Sequence, residues 1–230
     1  MLPKKLRHSG QFLLEIFLQL PYIIFATLPF FIPDEKLSPN KNRQSDQTIV
    51  IIKRWFSWHI LHYYWKKYLQ DKGFTVYLIN YPLHKMTFRE SAEKLREFIE
   101  ENRLKNVTLV GISGGALTCY LYLQELDGWK RVKHFFSLGG PLKGTWAFLP
   151  LFFLGSGREL LPQSQLIKSL NNKEVKNPER ITSIQARKDE YITPKSSRLK
   201  GAKNITLDII GHNNLHMSSR LPYELIAKEA

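Results

Sequence analysis

A serine flanked by glycines at the end of an apolar run is the residue of this sequence best suited to nucleophilic chemistry. The pentapeptide Gly111-Ile-Ser113-Gly-Gly115 follows the β-branched run 107–110 and precedes a segment of helical character. A sharp strand-to-helix turn exposes the serine hydroxyl, and glycines are needed where a Cβ would clash across it. The pattern therefore predicts a nucleophile elbow at Ser113, and the alternative interpretation is an ordinary Gly-Ser turn.

A carboxylate that could orient a catalytic base follows a predicted strand in the second half of the chain. A serine nucleophile needs a base, and the base needs an orienting group. Asp189 comes just after the predicted strand 181–186, and open parallel sheets place their sites at the carboxyl ends of strands. Glu190 is the neighbour that could replace it. Asp127 lies at a predicted helix end and Asp208 inside a predicted strand, so neither competes.

Two histidines in one loop, His212 and His216, are the candidate bases. His212 directly follows Gly211 and the last predicted strand, where the backbone turns toward the carboxyl edge of the sheet. His216 comes one helical turn later. The spacing favours His212 as the base and leaves His216 as the alternate, and for either one the other interpretation is a structural loop histidine.

Alternating strand and helix patterns provide the framework for these residues. Short apolar runs are typical of strands buried on both faces of a parallel sheet, and Thr87-Phe-Arg-Glu90 is a capping box that opens a helix. The chain therefore predicts an α/β fold, with a mostly parallel central sheet and helices on both faces. The predicted strands are 48–52, 74–79, 107–110, 132–138, 181–186 and 205–210, and the predicted helices are 56–72, 88–103, 116–126 and 219–230.

Composition narrows the possible partners. The formal net charge is +14, which favours anionic surfaces, but the basic residues are dispersed and no nucleic-acid motif accompanies them. We therefore expect no nucleic acid partner. A single cysteine, Cys119, rules out an internal disulfide and is expected in the core, and no Cys/His cluster has metal-ligand spacing. No metal or cofactor is expected.

The N-terminal segment 1–33 is predicted to associate with a membrane. Basic residues precede about 21 mostly apolar residues, near the length of a transmembrane helix, although Glu15 and two prolines interrupt them. A spanning anchor and a helix in the membrane interface remain alternatives, beside a helix packed on the protein itself. Residues 34–47 are predicted to form a linker and 48–230 the catalytic domain. The basic residues before the apolar segment favour an inside N-terminus for a span, whereas the basic remainder of the chain opposes export, so a cytoplasmic location of the domain is slightly favoured.

One apolar stretch, Trp146-Ala-Phe-Leu-Pro-Leu-Phe-Phe-Leu154, interrupts the strand–helix rhythm. It is too short to span a bilayer and too apolar for an ordinary exposed loop. Two interpretations remain open. The region 146–171 could form a lid or a lipid-facing flap over a pocket, or it could pack as a core helix against the N-terminal anchor.

As an ordered set, these motifs resemble bacterial lipases and esterases of the α/β-hydrolase superfamily. The resemblance covers about four fifths of the chain, does not reach the N-terminal apolar segment, and includes the order serine, acid, histidine. Beside the elbow, the stretches that carry it are Gly139-Gly-Pro-Leu-Lys-Gly-Thr145, Pro162-Gln-Ser-Gln-Leu166, Asp189-Glu-Tyr-Ile-Thr-Pro194 and Gly211-His-Asn-Asn-Leu215.

The resemblance implies hydrolysis of a carboxylic ester through an acyl-enzyme on Ser113, with a lipid or small-molecule ester as substrate. It also implies an oxyanion hole formed by the backbone N–H groups of Gly114 and Trp55. An acyltransferase, a thioesterase and a catalytically impaired membrane-bound scaffold remain alternative functions.

The first predicted strand departs from the family pattern. The family usually has His-Gly and an apolar residue here, whereas this chain has Lys53-Arg54-Trp55. Losing one oxyanion donor costs about 2.7–4 kcal/mol. Three outcomes are open: the Trp55 N–H still points into the hole, a basic side chain replaces it, or the protein is a slow or repurposed member.

Overall fold

A parallel β-sheet forms the centre of the molecule. The computed structural model describes residues 9–15, 47–53, 59–81, 85–151, 153 and 155–230. Within these residues six strands pair in the order β2-β1-β3-β4-β5-β6, and every pairing is parallel. The carboxyl ends of all six therefore meet at one edge. The strands are β1 (Thr48–Ile52), β2 (Thr75–Ile79), β3 (Val107–Ile112), β4 (Val132–Leu138), β5 (Ile181–Lys188) and β6 (Lys203–Ile210).

Helices follow most of the strands. Residues 9–15 are also helical. The α-helices after β1 are α1 (His59–Asp71), α2 (Phe88–Glu101), α3 (Gly114–Glu125), α4 (Gln165–Asn171), α5 (Pro194–Ser197) and α6 (Leu221–Glu229). Shorter 3-10 turns lie at Gly128–Lys130, Leu149–Leu151, Gly155–Leu160 and Pro178–Arg180, and a π-helical turn lies at Asn214–Ser218.

The apolar strands are buried on both faces, which is why they lack an alternating polar pattern. In β1, Val50 and Ile52 pack into a core with α2 and α3, while Ile49 and Ile51 pack into a core with α1 and α6. Because both faces are covered, the sheet is the middle of three layers. This arrangement confirms the predicted parallel α/β fold.

Most predicted element boundaries agree with the structure to within two residues. The capping box at Thr87 is confirmed, since its side chain accepts from the Glu90 N–H and the Glu90 carboxylate accepts from the Thr87 N–H. Strand β6 begins at Lys203 rather than at residue 205. Residues 203 and 204 fall outside the predicted strand because they lack an apolar pattern, but backbone pairing to β5 continues through them.

The predicted N-terminal anchor lies mostly outside the described residues, as do residues 34–46 of the predicted linker. Among the residues that the structure does describe, no helix combines the length and apolar composition that a membrane crossing requires.

Candidate active site

Ser113 lies in a strained turn between β3 and α3. Its backbone angles are φ 52° and ψ −122°, a region that side-chain-bearing residues rarely occupy. A Cβ at Gly115 would lie 2.4 Å from the carbonyl oxygen of Ile52, and one at Gly111 would lie 2.4 Å from the Cα of Ala116. The glycines thus let the turn approach β1 and its own helix. The helix begins at Gly114, directly after the serine and two residues earlier than predicted.

His212 faces the serine from the loop after β6. Its Nε2 lies 2.9 Å from the Ser113 Oγ, and the residue is 1% exposed. Gly211 precedes it at φ +102°, a conformation that favours glycine and turns the chain toward the strand ends. The predicted base therefore lies within hydrogen-bonding distance of the predicted nucleophile.

Asp189 holds the other side of the imidazole. Its Oδ2 lies 2.7 Å from the Nδ1 of His212, while its Oδ1 accepts the backbone N–H groups of Tyr191 and Ile192 at 2.9 and 2.7 Å. An ionised carboxylate only accepts, so the Nδ1 of His212 carries a proton. In the neutral imidazole the Nε2 is then an acceptor, free to take the proton of the Ser113 hydroxyl.

The two alternates from sequence occupy different positions. His216 is buried with its ring centroid 4.9 Å from that of His212, in an edge-on contact, and its carbonyl accepts the hydroxyl of Tyr223 at 2.9 Å. The Oε2 of Glu190 accepts the backbone N–H of His212 at 3.1 Å. Of the two acids and two histidines, Asp189 and His212 are the pair aligned with Ser113.

The proposed oxyanion donors are described only in part. Gly114 is the first residue of α3 and is buried directly after the serine. Trp55 and Arg54 lie outside the described residues. Lys53 is buried, and its backbone N–H donates to the carbonyl of Ile79 at 3.0 Å, so the chain is held in the sheet up to that residue.

Glu15 lies beside the candidate site, a position that the sequence does not reveal, because a single acid in an apolar segment indicates only an interruption there. It is 4% exposed. Its Oε1 accepts the backbone N–H and the side-chain amide of Asn213 at 3.0 and 2.6 Å, and its Oε2 accepts the N–H of Asn214 at 2.9 Å. The sequence signal that could have indicated this contact is the acid itself, because a carboxylate among apolar residues needs hydrogen-bond donors if it is buried.

Glu190 forms a hydrogen bond with the same carboxylate. Removal of its carboxyl group from water, followed by the hydrogen bond and the negative charge of Glu15, raises the pKa of Glu190 to about 8, and the charge of Asp189 adds to this. The raised pKa favours the protonated form of the Glu190 carboxyl, which bridges Glu15 to the backbone of His212.

Aromatic rings connect the apolar stretch 146–154 to the histidine. The ring of Phe148 lies 6.0 Å from that of Tyr191, which makes an edge-on contact with His212 at 5.5 Å. Three other side chains of the stretch are about half exposed or more: Trp146, Leu149 and Phe153. The stretch thus lies beside the site and presents apolar surface to solvent.

Solved lipases and esterases share the architecture that carries this site. The mature lipase BlEst2 of Bacillus licheniformis matches with a TM-score of 0.59 at 16% identity, over 84% of this chain and 96% of that one. An esterase of Exiguobacterium antarcticum matches with a TM-score of 0.60 at 16% identity, over 79% and 91%. A monoacylglycerol lipase of Paleococcus ferrophilus gives 0.59 at 14% identity, over 80% and 95%.

The chain has the α/β-hydrolase fold. No protein-family model matches the sequence, and no curated protein is significantly similar to it. Identities of 14–16% establish the shared fold alone. Within this α/β-hydrolase fold, the chemistry therefore rests on the contacts of Ser113, His212 and Asp189.

Proposed function

We propose that the protein is a serine hydrolase that cleaves carboxylic esters. The observation that carries this proposal is the continuous hydrogen-bonded series from Ser113 Oγ through His212 to Asp189. A serine is a weak nucleophile by itself, and a base held in one tautomer by a buried carboxylate is the arrangement that activates it.

In the proposed reaction, the Oγ of Ser113 attacks the ester carbonyl carbon as its proton passes to the Nε2 of His212. The Gly114 N–H, with the Trp55 N–H as the second predicted donor, stabilises the negative charge on the carbonyl oxygen. When the carbon–oxygen bond of the ester breaks, His212 returns the proton to the leaving alcohol. Water then hydrolyses the acyl-serine by the same proton transfers, which releases the acid and restores Ser113.

Cys119 is an unsuitable nucleophile for this chemistry. It is fully buried in α3, and burial raises the pKa of its thiol well above the usual range. A thiol needs its ionised form to attack a carbonyl. Cys119 therefore provides a matched control for Ser113.

A lipidic ester is the proposed substrate class. The exposed side chains of Trp146, Leu149 and Phe153 lie on the stretch that contacts the site through Phe148, and apolar surface of this kind favours a partner with acyl chains. The net charge of +14 favours an anionic membrane surface as the source of such esters. We further propose that segment 1–33 contributes to membrane association.

A fluorophosphonate probe tests the nucleophile directly, since it labels an activated serine covalently. The folded protein and the Cys119→Ala variant are expected to be labelled and to hydrolyse p-nitrophenyl esters, whereas Ser113→Ala is expected to do neither. If folded protein remains unlabelled and hydrolyses no ester, the hydrolase proposal is wrong and a non-catalytic scaffold is favoured. If ester cleavage transfers the acyl group mainly to an added alcohol, an acyltransferase is favoured.

A further inference from the structure

We propose that Glu15 is a positioning residue for the loop that carries His212, so that the helical segment 9–15 is part of the active-site framework. The proposal rests on the proposed hydrolase function and adds a residue to its machinery. We define the histidine loop as residues 211–214. Glu15 does not reach Ser113 or Asp189. It acts through Asn213 and Asn214, which directly follow His212, and through Glu190, which accepts the His212 N–H.

The contacts between the helical segment 9–15 and the histidine loop are polar and continuous. Besides the three N–H groups that Glu15 accepts from Asn213 and Asn214, the side-chain amide of Asn214 donates to the Gln11 carbonyl at 2.7 Å. The Ile210 N–H donates to the Gln11 Oε1 at 3.1 Å. Gln11 and Glu15 are four residues apart and share one helix face, so one face holds the end of β6 and the loop after it.

Gly211 provides the space for this contact. A Cβ at this position would lie 2.1 Å from the Oε2 of Glu15 and 2.6 Å from its Cδ. The positive φ of this position favours glycine, and a side chain here would also have to displace the Glu15 carboxylate from its present contacts.

Burial gives the Glu15 contact its strength. A buried carboxylate is stable only when hydrogen bonds replace its hydration, and three N–H donors from the histidine loop do so here. Glu190 also forms a hydrogen bond with Glu15. Glu190 in turn accepts the His212 N–H. The backbone on both sides of the imidazole is thereby tied to one carboxylate.

The opposite surface of the segment is apolar. Phe12, Leu13 and Leu14 are 57, 66 and 39% exposed, while Glu15 is 4% exposed. The segment therefore contacts the rest of the protein through its polar face. Replacing Glu15 removes the main contact with the histidine loop and leaves the apolar surface of the segment intact, which makes a point substitution informative.

The test compares Glu15→Ala and Glu15→Gln with Glu174→Gln, an exposed glutamate far from the loop in sequence. Backbone hydrogen exchange over residues 210–215 is measured in each full-length protein, together with kcat and KM for a short-chain ester. In Glu15→Ala we expect faster exchange in this region and a kcat lower by about 10- to 100-fold, because a slightly displaced imidazole reacts poorly. KM is expected to change much less, since Glu15 does not contact the ester.

Glu15→Gln is expected to give intermediate values. Its amide oxygen still accepts from Asn213, but its amide nitrogen faces the Asn214 N–H. Glu174→Gln is expected to match the unmodified protein. Unchanged exchange over 210–215 in Glu15→Ala would overturn the proposal, and so would an increase spread evenly over the whole sheet.

The exchange measurement keeps this proposal separate from the hydrolase proposal. Faster exchange confined to the loop in a protein that cleaves no ester supports the Glu15 contact and contradicts the hydrolase function. Normal catalysis in Glu15→Ala contradicts the positioning role and leaves the hydrolase function supported.

Discussion

The Nδ1 of His212 lies 2.7 Å from the Oδ2 of Asp189, and both side chains are 1% exposed. Two backbone N–H groups hold the other oxygen of that carboxylate, so its direction is set before any substrate binds. A buried carboxylate that is fixed next to the Nδ1 of an imidazole leaves the Nε2 as the ring nitrogen that can receive a proton.

The substitution Asp189→Asn is expected to lower kcat for a chromogenic ester by about 10⁴-fold, because an asparagine amide can donate to Nδ1 and stabilise the wrong tautomer. Asp127→Asn is the matched control. Asp127 is exposed and pairs with Lys130, so the rate of this variant is expected to remain unchanged. Equal activity in the two variants would contradict the role of Asp189.

Replacing each histidine separately distinguishes the base from its neighbour. His212→Ala is expected to lose about 10²- to 10⁴-fold in kcat, because it removes the proton acceptor of Ser113. His216→Ala leaves that acceptor in place and is expected to lose less activity, mainly with a lower melting temperature because a buried ring is removed. Loss of activity in His216→Ala alone would reverse the assignment.

The elbow is expected to tolerate no side chain at Gly115. Gly115→Ala places a Cβ 2.4 Å from a backbone oxygen of β1, where nothing flexible can yield, so we expect a loss of about 1–3 kcal/mol or more in the free energy of unfolding. Gly10→Ala is the control, since a Cβ there meets nothing within 4 Å. Urea denaturation of both variants measures the difference. A stable Gly115→Ala variant would show that the turn is looser than described.

The raised pKa of Glu190, beside Glu15, predicts an alkaline decline in activity. As pH rises through about 8, Glu190 loses its proton, and its charge then faces Glu15 on the helical segment and Asp189 on its own loop. His212 faces it through the backbone N–H. Repulsion is expected to loosen the histidine loop, so kcat should fall above about pH 8.

Glu190→Gln is expected to reduce or remove that decline, because a neutral amide keeps a donor for Glu15 and an acceptor for the His212 N–H at every pH. The measurement is kcat from about pH 6 to 10, a range that spans the raised pKa of Glu190. Glu174→Gln should retain the original profile. Identical profiles in Glu190→Gln and the unmodified protein would assign the decline to another group.

The apolar stretch beside the site is expected to favour long acyl chains. Phe153→Ser and Trp146→Ser should lower kcat/KM for a long-chain ester relative to a short-chain one by about fivefold, since burying part of one aromatic side chain is worth on the order of 1 kcal/mol. Leu221→Ser, on α6, removes an equally exposed apolar side chain as a control. An unchanged ratio of kcat/KM between long-chain and short-chain esters would show that the stretch does not contribute to substrate binding.

Local sequence patterns predicted the framework well because their physical causes are local. Short apolar runs such as 48–52 indicated buried parallel strands, and the capping box at Thr87 marked the start of a helix that the structure confirms. The polar start of β6 was missed, because its pairing depends on the neighbouring strand and not on its own pattern.

The sequence by itself determined the α/β framework, the elbow at Ser113 and the short set of acids and histidines that could serve it, since each depends on residue type and near spacing. Only the tertiary structure decided that His212 and Asp189 are the pair aligned with the serine. His212 and His216 are close in sequence, but only the fold determines which of the two rings faces Ser113. It alone brought Glu15 to Asn213, 198 positions away. Such a contact leaves no periodic signal, since a buried charge is specified by the donors that surround it and these come from a distant loop.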